Sequence, residues 1–224
     1  MGDRDKSEES QAGFAVYSER MLRWYDFLVH RISNHLVWKC PTRKLFELYR
    51  SNVAKLHLEI GVGTGIFLDR IGPRFHFDHL TLADANPNCL ASASLRLARY
   101  QPEIVELNLL RKGSFSSLDG KQFDSIGLNY VLHCLPNGLE NLPLILPRIK
   151  HHLTASGVLF GSTILGAGIR KSWLAGRVMK FYNQREIFGN ERDTLQQLDA
   201  GLRQHFPSVE VRQIGCVALF QTGC

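Results

Sequence analysis

Apolar residues between Tyr17 and Val37 recur at helical spacing, with Leu22, Tyr25, Leu28, Val29, Ile32 and Leu36 on one stripe. Pro41 interrupts this stretch and predicts the start of a second helix running through Tyr49. Beyond it the pattern changes to short apolar and β-branched runs, each bounded by a turn signal. Lys55–Ile60 ends at glycines, His79–Asp84 at an acid, Ile104–Leu107 at Asn108 and Phe123–Asn129 before an HCLP turn; Val158–Thr163 follows. The last two runs, Val209–Gln213 and Cys216–Gln221, flank Ile214-Gly215 as in a hairpin. Helical spacing fills the gaps: Pro87–Tyr100, a segment ending near Leu153, and Thr194–His205 with Asp193 as the expected N-cap. Pro147 either starts or kinks the second of these helices.

Alternating strands and helices predict an α/β fold. The expected architecture is a doubly wound, mostly parallel, seven-stranded Rossmann-like sheet, closed by an antiparallel C-terminal hairpin strand and preceded by a helical cap. One domain suits the length, which is enough to bury roughly 70% of the unfolded surface. The expected layout is a disordered tail over residues 1–12, a helical cap over 13–52 and a core over 53–224, with an insertion over 166–190. Ligands on such sheets bind at the carboxyl ends of the strands, near the point where strand order reverses.

The formal net charge of +6 adds little, because Lys and Arg are spread along the chain and a solvated surface accounts for them. Neither nucleic acid nor a membrane is expected as a partner, and no apolar run is long enough to span a bilayer. Cys40, Cys89, Cys134, Cys216 and Cys224 are odd in number and form no CxxC pair, which argues against a zinc site and for a reducing cytoplasm. No metal ligand set is evident.

The chemistry gathers at strand ends. Leu58–Gly65 reads LEIGVGTG, and its glycines follow a strand and open a helix. Such a loop lets backbone approach a ligand closely, although a plain structural turn and a dinucleotide loop use the same residues. A dinucleotide loop reads GxGxxG; here the pattern is GxGxG, with Ile66 after it. Asp84 ends the second strand, where a carboxylate can accept hydrogen bonds from both hydroxyls of a ribose. Its other reading is a helix cap, for which Asn86 is better placed.

These segments, with WKCPT (Trp38–Thr42), GLNYVLHCLP and VLFGSTILG (Val158–Gly166), resemble class I S-adenosylmethionine-dependent methyltransferases. They are closest to the stand-alone bacterial and fungal enzymes associated with natural-product pathways. The resemblance covers nearly the whole chain, from about Tyr17 to Phe220. It implies methyl transfer from S-adenosylmethionine to a small organic molecule without a metal. It also implies a cofactor site of Glu59, Gly61, Gly63, Gly65, Asp84, Asn86, Asn108, Leu109, Asn129 and Tyr130. Glu59 matches an acidic position that helps fix the loop. Asn108 stands where the family often has an acid reading the adenine amino group, and an amide oxygen can accept the same bond. The Asn/Asp-Pro-Pro-aromatic run of base-modifying enzymes is absent after the fourth strand, which argues against a nucleic-acid substrate.

If a general base is needed, His133 is the candidate, against a structural role for the same residue in its turn. Tyr25, beside Asp26, matches a Tyr-Asp pair placed over the cofactor; otherwise it belongs to the packed face of its helix. Cys134 reads as a small buried residue. Trp38, Trp173, Tyr182 and Phe188 fall in segments expected to cover the site. The apolar stripe Trp173, Leu174, Val178, Phe181 and Tyr182 is expected to face inward as half of a two-part lid over an apolar substrate. Two other readings keep the cofactor: a fold that catalyses cyclisation or rearrangement, and a non-catalytic partner subunit, which the intact glycines and Asp84 disfavour. Substrate, accepting atom and oligomeric state are not legible.

Overall fold

The computed structural model describes residues 36–72 and 75–223. The expected tail lies outside them, as does the expected helix Tyr17–Val37 except for its last two residues; Tyr25 and Asp26 are therefore among the undescribed residues.

Helix α1 (Thr42–Asn52) starts after Pro41, whose carbonyl accepts from Lys44 N–H at 2.8 Å. It buries Leu45, Leu48 and Tyr49. Strand β1 (Leu56–Ile60) leads through the glycine loop into the short helix α2 (Ile66–Asp69). Next come β2 (His79–Asp84), α3 (Pro87–Arg96), β3 (Glu103–Glu106), β4 (Phe123–Asn129), α4 (Leu142–His151) and β5 (Leu153–Ile164). Helices α5 (Trp173–Gln184) and α6 (Leu195–Arg203) precede the hairpin of β6 (Ser208–Ile214) and β7 (Val217–Gly223).

The sheet order is β3-β2-β1-β4-β5-β7-β6, with β5-β7 and β7-β6 antiparallel and the other pairs parallel. The chain moves outward from β1 to β3, then returns to place β4 on the other side of β1. The strand order therefore reverses between β1 and β4, and the carboxyl ends at such a reversal are where sheets of this kind bind ligands.

Period-two alternation divides the core into two layers. Leu58 and Ile60 face Ile145, Leu146 and Ile149 of α4 and Leu198 and Leu202 of α6. On the opposite face Leu80 and Leu82 pack with Leu45 and Tyr49 of α1, Leu90 and Ala93 of α3, and Ala175 and Met179 of α5. Each fully buried Leu or Phe side chain stabilises this arrangement by roughly 1.5–3 kcal/mol relative to exposure.

Four local expectations need correcting or settling. Asp193 does not cap α6: its Oδ1 accepts from Leu139 N–H at 3.0 Å, and Thr194 caps instead by accepting from Gln197 N–H at 3.1 Å. The hairpin turns on Gly215-Cys216, because Gly215 has φ +59° and a Cβ there would strike the Trp38 carbonyl. Pro147 lies inside α4, while Pro143 occupies its first turn, where a missing N–H costs nothing. Strand β5 also starts earlier than expected, since Leu153 pairs with Phe123 before a register shift.

Candidate active site

The glycine loop leaves β1 on a hydrogen bond from Gly61 N–H to Ala83 O of β2, at 2.7 Å. Gly61 has φ +71°, and a Cβ there would stand 2.2 Å from Val131 Cγ2, so the loop abuts the turn after β4. Gly63 has φ +55° and differs: a Cβ there would meet nothing within 4 Å. Gly65 opens α2, with its N–H donating to Val62 O at 2.9 Å.

Asp84 ties this loop to the tip of β2. One carboxylate oxygen accepts from Gly63 N–H at 3.2 Å and the other from Asn86 N–H at 2.9 Å. Burial pushes the Asp84 carboxyl above its ordinary value, while the N–H donors of Asn86, Gly63 and Ala85 oppose the shift. Asn86 is buried and caps α3, accepting from Asn88 N–H at 2.9 Å. At the end of β3, Asn108 Oδ1 accepts from Leu110 N–H at 3.0 Å, so one lone pair of the amide oxygen is committed within the turn. Leu109 puts its side chain into the core, and its carbonyl accepts from Arg148 at 3.2 Å.

Glu59 lies beneath the loop in a buried network that sequence reasoning missed. Tyr49 O–H donates to Glu59 Oε1 at 2.5 Å, and His57 Nε2 bonds Oε2 at 3.0 Å. Burial and then the Glu59 charge hold the Tyr49 phenol well above its ordinary range, so it stays a donor. His57 Nδ1 in turn bonds Ser125 Oγ at 2.8 Å. A Cβ on Gly127 would strike Glu59 Oε2, so this strand position has room only for hydrogen. The one sequence signal was the period-two placement of His57 and Glu59 on the face opposite Leu58 and Ile60.

At the end of β4, Asn129 is buried. Its Oδ1 accepts from Ser162 O–H at 3.0 Å, and its Nδ2 has no partner among the described residues. Tyr130 takes φ +55°, held by its N–H donating to Ser162 O at 2.8 Å. His133 is 3% exposed, and its Nδ1 faces Ile164 N–H at 3.4 Å, which assigns the ring proton to Nε2. Burial pushes its pKa down to about 3, so the imidazole is neutral near pH 7. Its ring meets Phe188 edge-on at 4.6 Å and Tyr130 edge-on at 5.7 Å. Phe188 also contacts Tyr182 at 4.9 Å and Trp38 at 6.0 Å. Burial lifts the Cys134 thiol to about 12, which leaves it inert.

Three of the four aromatics expected near the site therefore gather around His133, and Trp173 does not. Of the expected inward stripe, helix α5 packs Val178 and Tyr182 against the core beside Ala175 and Met179, and leaves Trp173, Leu174 and Phe181 exposed. The insertion that carries α5 is closed at its neck. Gly166 and Ala167 N–H both donate to Asp193 O, and Asn190 Nδ2 donates to Ile164 O at 2.8 Å. Gly189 N–H donates to His133 O at 2.9 Å, which pins Phe188 over the imidazole.

A methyltransferase-domain family model matches residues 58–159. The chain is 33% identical over 217 residues to the physcion biosynthesis cluster O-methyltransferase of Aspergillus chevalieri, covering 96% of each. The chain belongs to the class I S-adenosylmethionine-dependent methyltransferases that act on small molecules. It is also 32% identical over 209 residues to the demethylluteothin O-methyltransferase of Streptomyces thioluteus, covering 93% of this chain and 90% of that one. An O-methyltransferase family protein from Burkholderia thailandensis shares the fold, with a TM-score of 0.68 at 16% identity, over 96% of this chain and 62% of that one. This chain thus spans somewhat less than two thirds of that structure's length.

The methyltransferase uses S-adenosylmethionine, and its residues fit that group. Gly63 leaves space above the loop that any side chain would fill, and Asp84 stands beside it with acceptor capacity beyond its two N–H partners. Among the described residues no three His, Cys, Asp or Glu side chains group as metal ligands, and no helix is long and apolar enough to cross a membrane.

Proposed function

We propose that the acceptor is a hydroxyl group on a small, largely apolar, ring-bearing molecule, of the kind made in natural-product pathways. The observation that carries this reading is the aromatic cluster of Trp38, Tyr130, Tyr182 and Phe188, whose supporting turn abuts the glycine loop through Val131 and Gly61. Both relatives described above carry O-methyltransferase names, which supports oxygen as the accepting atom.

In this reading Gly61, Gly63 and Gly65 cradle the cofactor and Asp84 accepts from its ribose hydroxyls. Asn86 fixes Asp84 through its backbone N–H. Asn108 keeps one amide lone pair, and Leu109 its backbone N–H, for the adenine end. Asn129 Nδ2 and the Tyr130 backbone are the polar groups next to the methionine end. Glu59 acts from below, holding β1 against α1 through Tyr49, and so supports the loop. Tyr25, outside the described residues, joins this set on the sequence resemblance alone.

Once bound, S-adenosylmethionine supplies a methyl group already activated on a sulfonium. The protein's share is then to orient the hydroxyl in line with that methyl and to exclude water. A group with a pKa of about 3 is a poor acceptor for a hydroxyl proton. Burial, the edge-on rings and the Ile164 contact therefore support an orienting role for His133, with its Nε2–H as the available donor. The cysteines that the structure describes are all free, which fits a cytoplasmic enzyme.

The test is incubation of purified protein with isotope-labelled cofactor and panels of phenols, amines, thiols and carboxylic acids. A mass gain of one labelled methyl on a phenolic or enolic oxygen is expected. Methylation confined to nitrogen, sulfur or a protein side chain would overturn the reading.

A further inference from the structure

Helix α5 packs Ala175, Val178, Met179 and Tyr182 inward as an ordinary amphipathic helix does, and carries further large apolar side chains on its outer face. Its small and thioether residues, Ala175 and Met179, face the core, while its largest apolar side chains stand on the opposite side. Trp173 is 74% exposed, Phe181 49% and Leu174 43%. Exposed large apolar groups scattered singly need no explanation, but three on one helical face do. Trp173, Arg177, Phe181 and Arg185 recur every four residues, one above the other along the helix. Each guanidinium lies over the preceding ring: Arg177 Cζ is 4.9 Å from the Trp173 centroid and Arg185 Cζ is 5.0 Å from that of Phe181. Arg170 and Lys180 are exposed beside them, and no Asp or Glu occurs from Arg170 to Arg185. Lys171 is set apart, its ammonium donating to Gly166 O.

We propose that this face of α5 is a peripheral membrane-docking surface that takes the headgroup region of an anionic phospholipid bilayer. A Trp, a Phe and a Leu protruding from a convex helix surface supply apolar groups at the depth where bilayers accept aromatic rings. The cations around them meet the anionic headgroups, and the absence of any acid along the helix removes the opposing charge. Nucleic acid would satisfy the cations through its phosphates and leave Leu174 and Phe181 without a partner. A second copy of the chain would set this cationic face against itself. The contact is peripheral rather than spanning, and it revises the expectation of no membrane partner. It goes beyond the proposed function and does not depend on it. The same helix carries Tyr182 on its inner side, in the cluster around His133, so the docked element is also the cover of the site.

The test is co-sedimentation of the full chain with phosphatidylcholine vesicles, with and without about a third phosphatidylglycerol. Binding is expected only to the anionic vesicles, and raising salt to about 0.5 M should weaken it. The double variant Arg177→Glu/Arg185→Glu should lose at least about 25-fold in partitioning, from roughly fivefold per cation removed. Trp173→Ala/Phe181→Ala should lose a similar factor at unchanged charge. Both pairs are exposed, so their circular dichroism and unfolding midpoints should match the wild type. A gentler measurement covers any variant that misfolds: anionic vesicles should blue-shift the fluorescence of the wild type, and Trp173→Phe should abolish that shift. The proposal is overturned by no binding, by equal binding to both vesicle types, or by variants that bind as the wild type does. It is equally overturned if oligonucleotides or an acidic protein bind the full chain and the anionic vesicles do not.

Discussion

Replacing His133 with Gln should remove much of the protein's acid sensitivity. The imidazole is neutral when folded, with a pKa pushed by burial down to about 3 from the ordinary 6.5. The unfolded chain regains an ordinary histidine, so between these values it binds a proton that the folded protein refuses. Its folded pKa is depressed, and for a base this means stability is lost as pH falls below about 6.5, with the loss complete near pH 3. Each unit is worth about 1.36 kcal/mol, which gives about 5 kcal/mol over the whole window and about 2 kcal/mol at pH 5. Asp193 works in the other direction. Burial lifts its carboxyl to about 6, so the folded protein gains a proton before the unfolded chain does and is favoured as pH falls. The total pH dependence mixes these effects, and the difference between wild type and His133→Gln isolates one of them. Urea unfolding at pH 7.5 and pH 5 measures it. The wild type should lose about 2 kcal/mol more than the variant between those two pH values. Equal losses, within about 0.5 kcal/mol, would show that His133 is not held neutral by burial, and the orienting role drawn from that would fall with it.

The glycine loop offers a paired test. Gly61→Ala places a Cβ 2.2 Å from Val131 at φ +71°, and should destabilise the fold by about 2–4 kcal/mol in chemical unfolding. Gly63→Ala meets no protein atom, so it should cost only about 1–2 kcal/mol of backbone strain while weakening cofactor binding by at least tenfold in calorimetry; a loss of fold without a loss of affinity would contradict the cradle. Asn190→Ala removes the bond to Ile164 O and the one from Asn183, and should leave the 166–190 insertion the first site of limited proteolysis; an unchanged cleavage pattern would show the neck is held otherwise. Methyl transfer should persist in EDTA, and a requirement restored by added magnesium would refute metal independence.

The sheet was legible because strand and helix periods alternate cleanly and β1, β2 and β4 end at Gly, Asp or Asn. The placement of the carboxyl-end loops was legible for the same reason: Gly61, Gly63, Gly65 and Asp84 fall at the strand ends that their residue types and positions predicted. What escaped were interactions between distant segments. Nothing local in the sequence joins Tyr49 to Glu59, or Asp193 to Leu139. Asp193 precedes a helix and so reads as its cap, yet a tertiary N–H took its oxygen and left the role to Thr194. The spacing of α5 gave its helical form and the inward Val178 and Tyr182 but not the outward Trp173, Leu174 and Phe181, because periodicity says which residues share a face and not how far the buried face extends. Here the space under α5 suits Ala175 and Met179, and the rings turn outward under their arginines.

The most direct measurement of the account is calorimetric titration of S-adenosylhomocysteine into the wild type and into Asp84→Ala. The carboxylate is expected to contribute a charge-assisted hydrogen bond of roughly 1.5–3 kcal/mol, so the variant should bind about 10- to 150-fold more weakly, with a separate loss of stability, read from its unfolding midpoint, for the Gly63 and Asn86 N–H groups left unpaired. Binding of equal strength by both proteins, or none by the wild type, would contradict it.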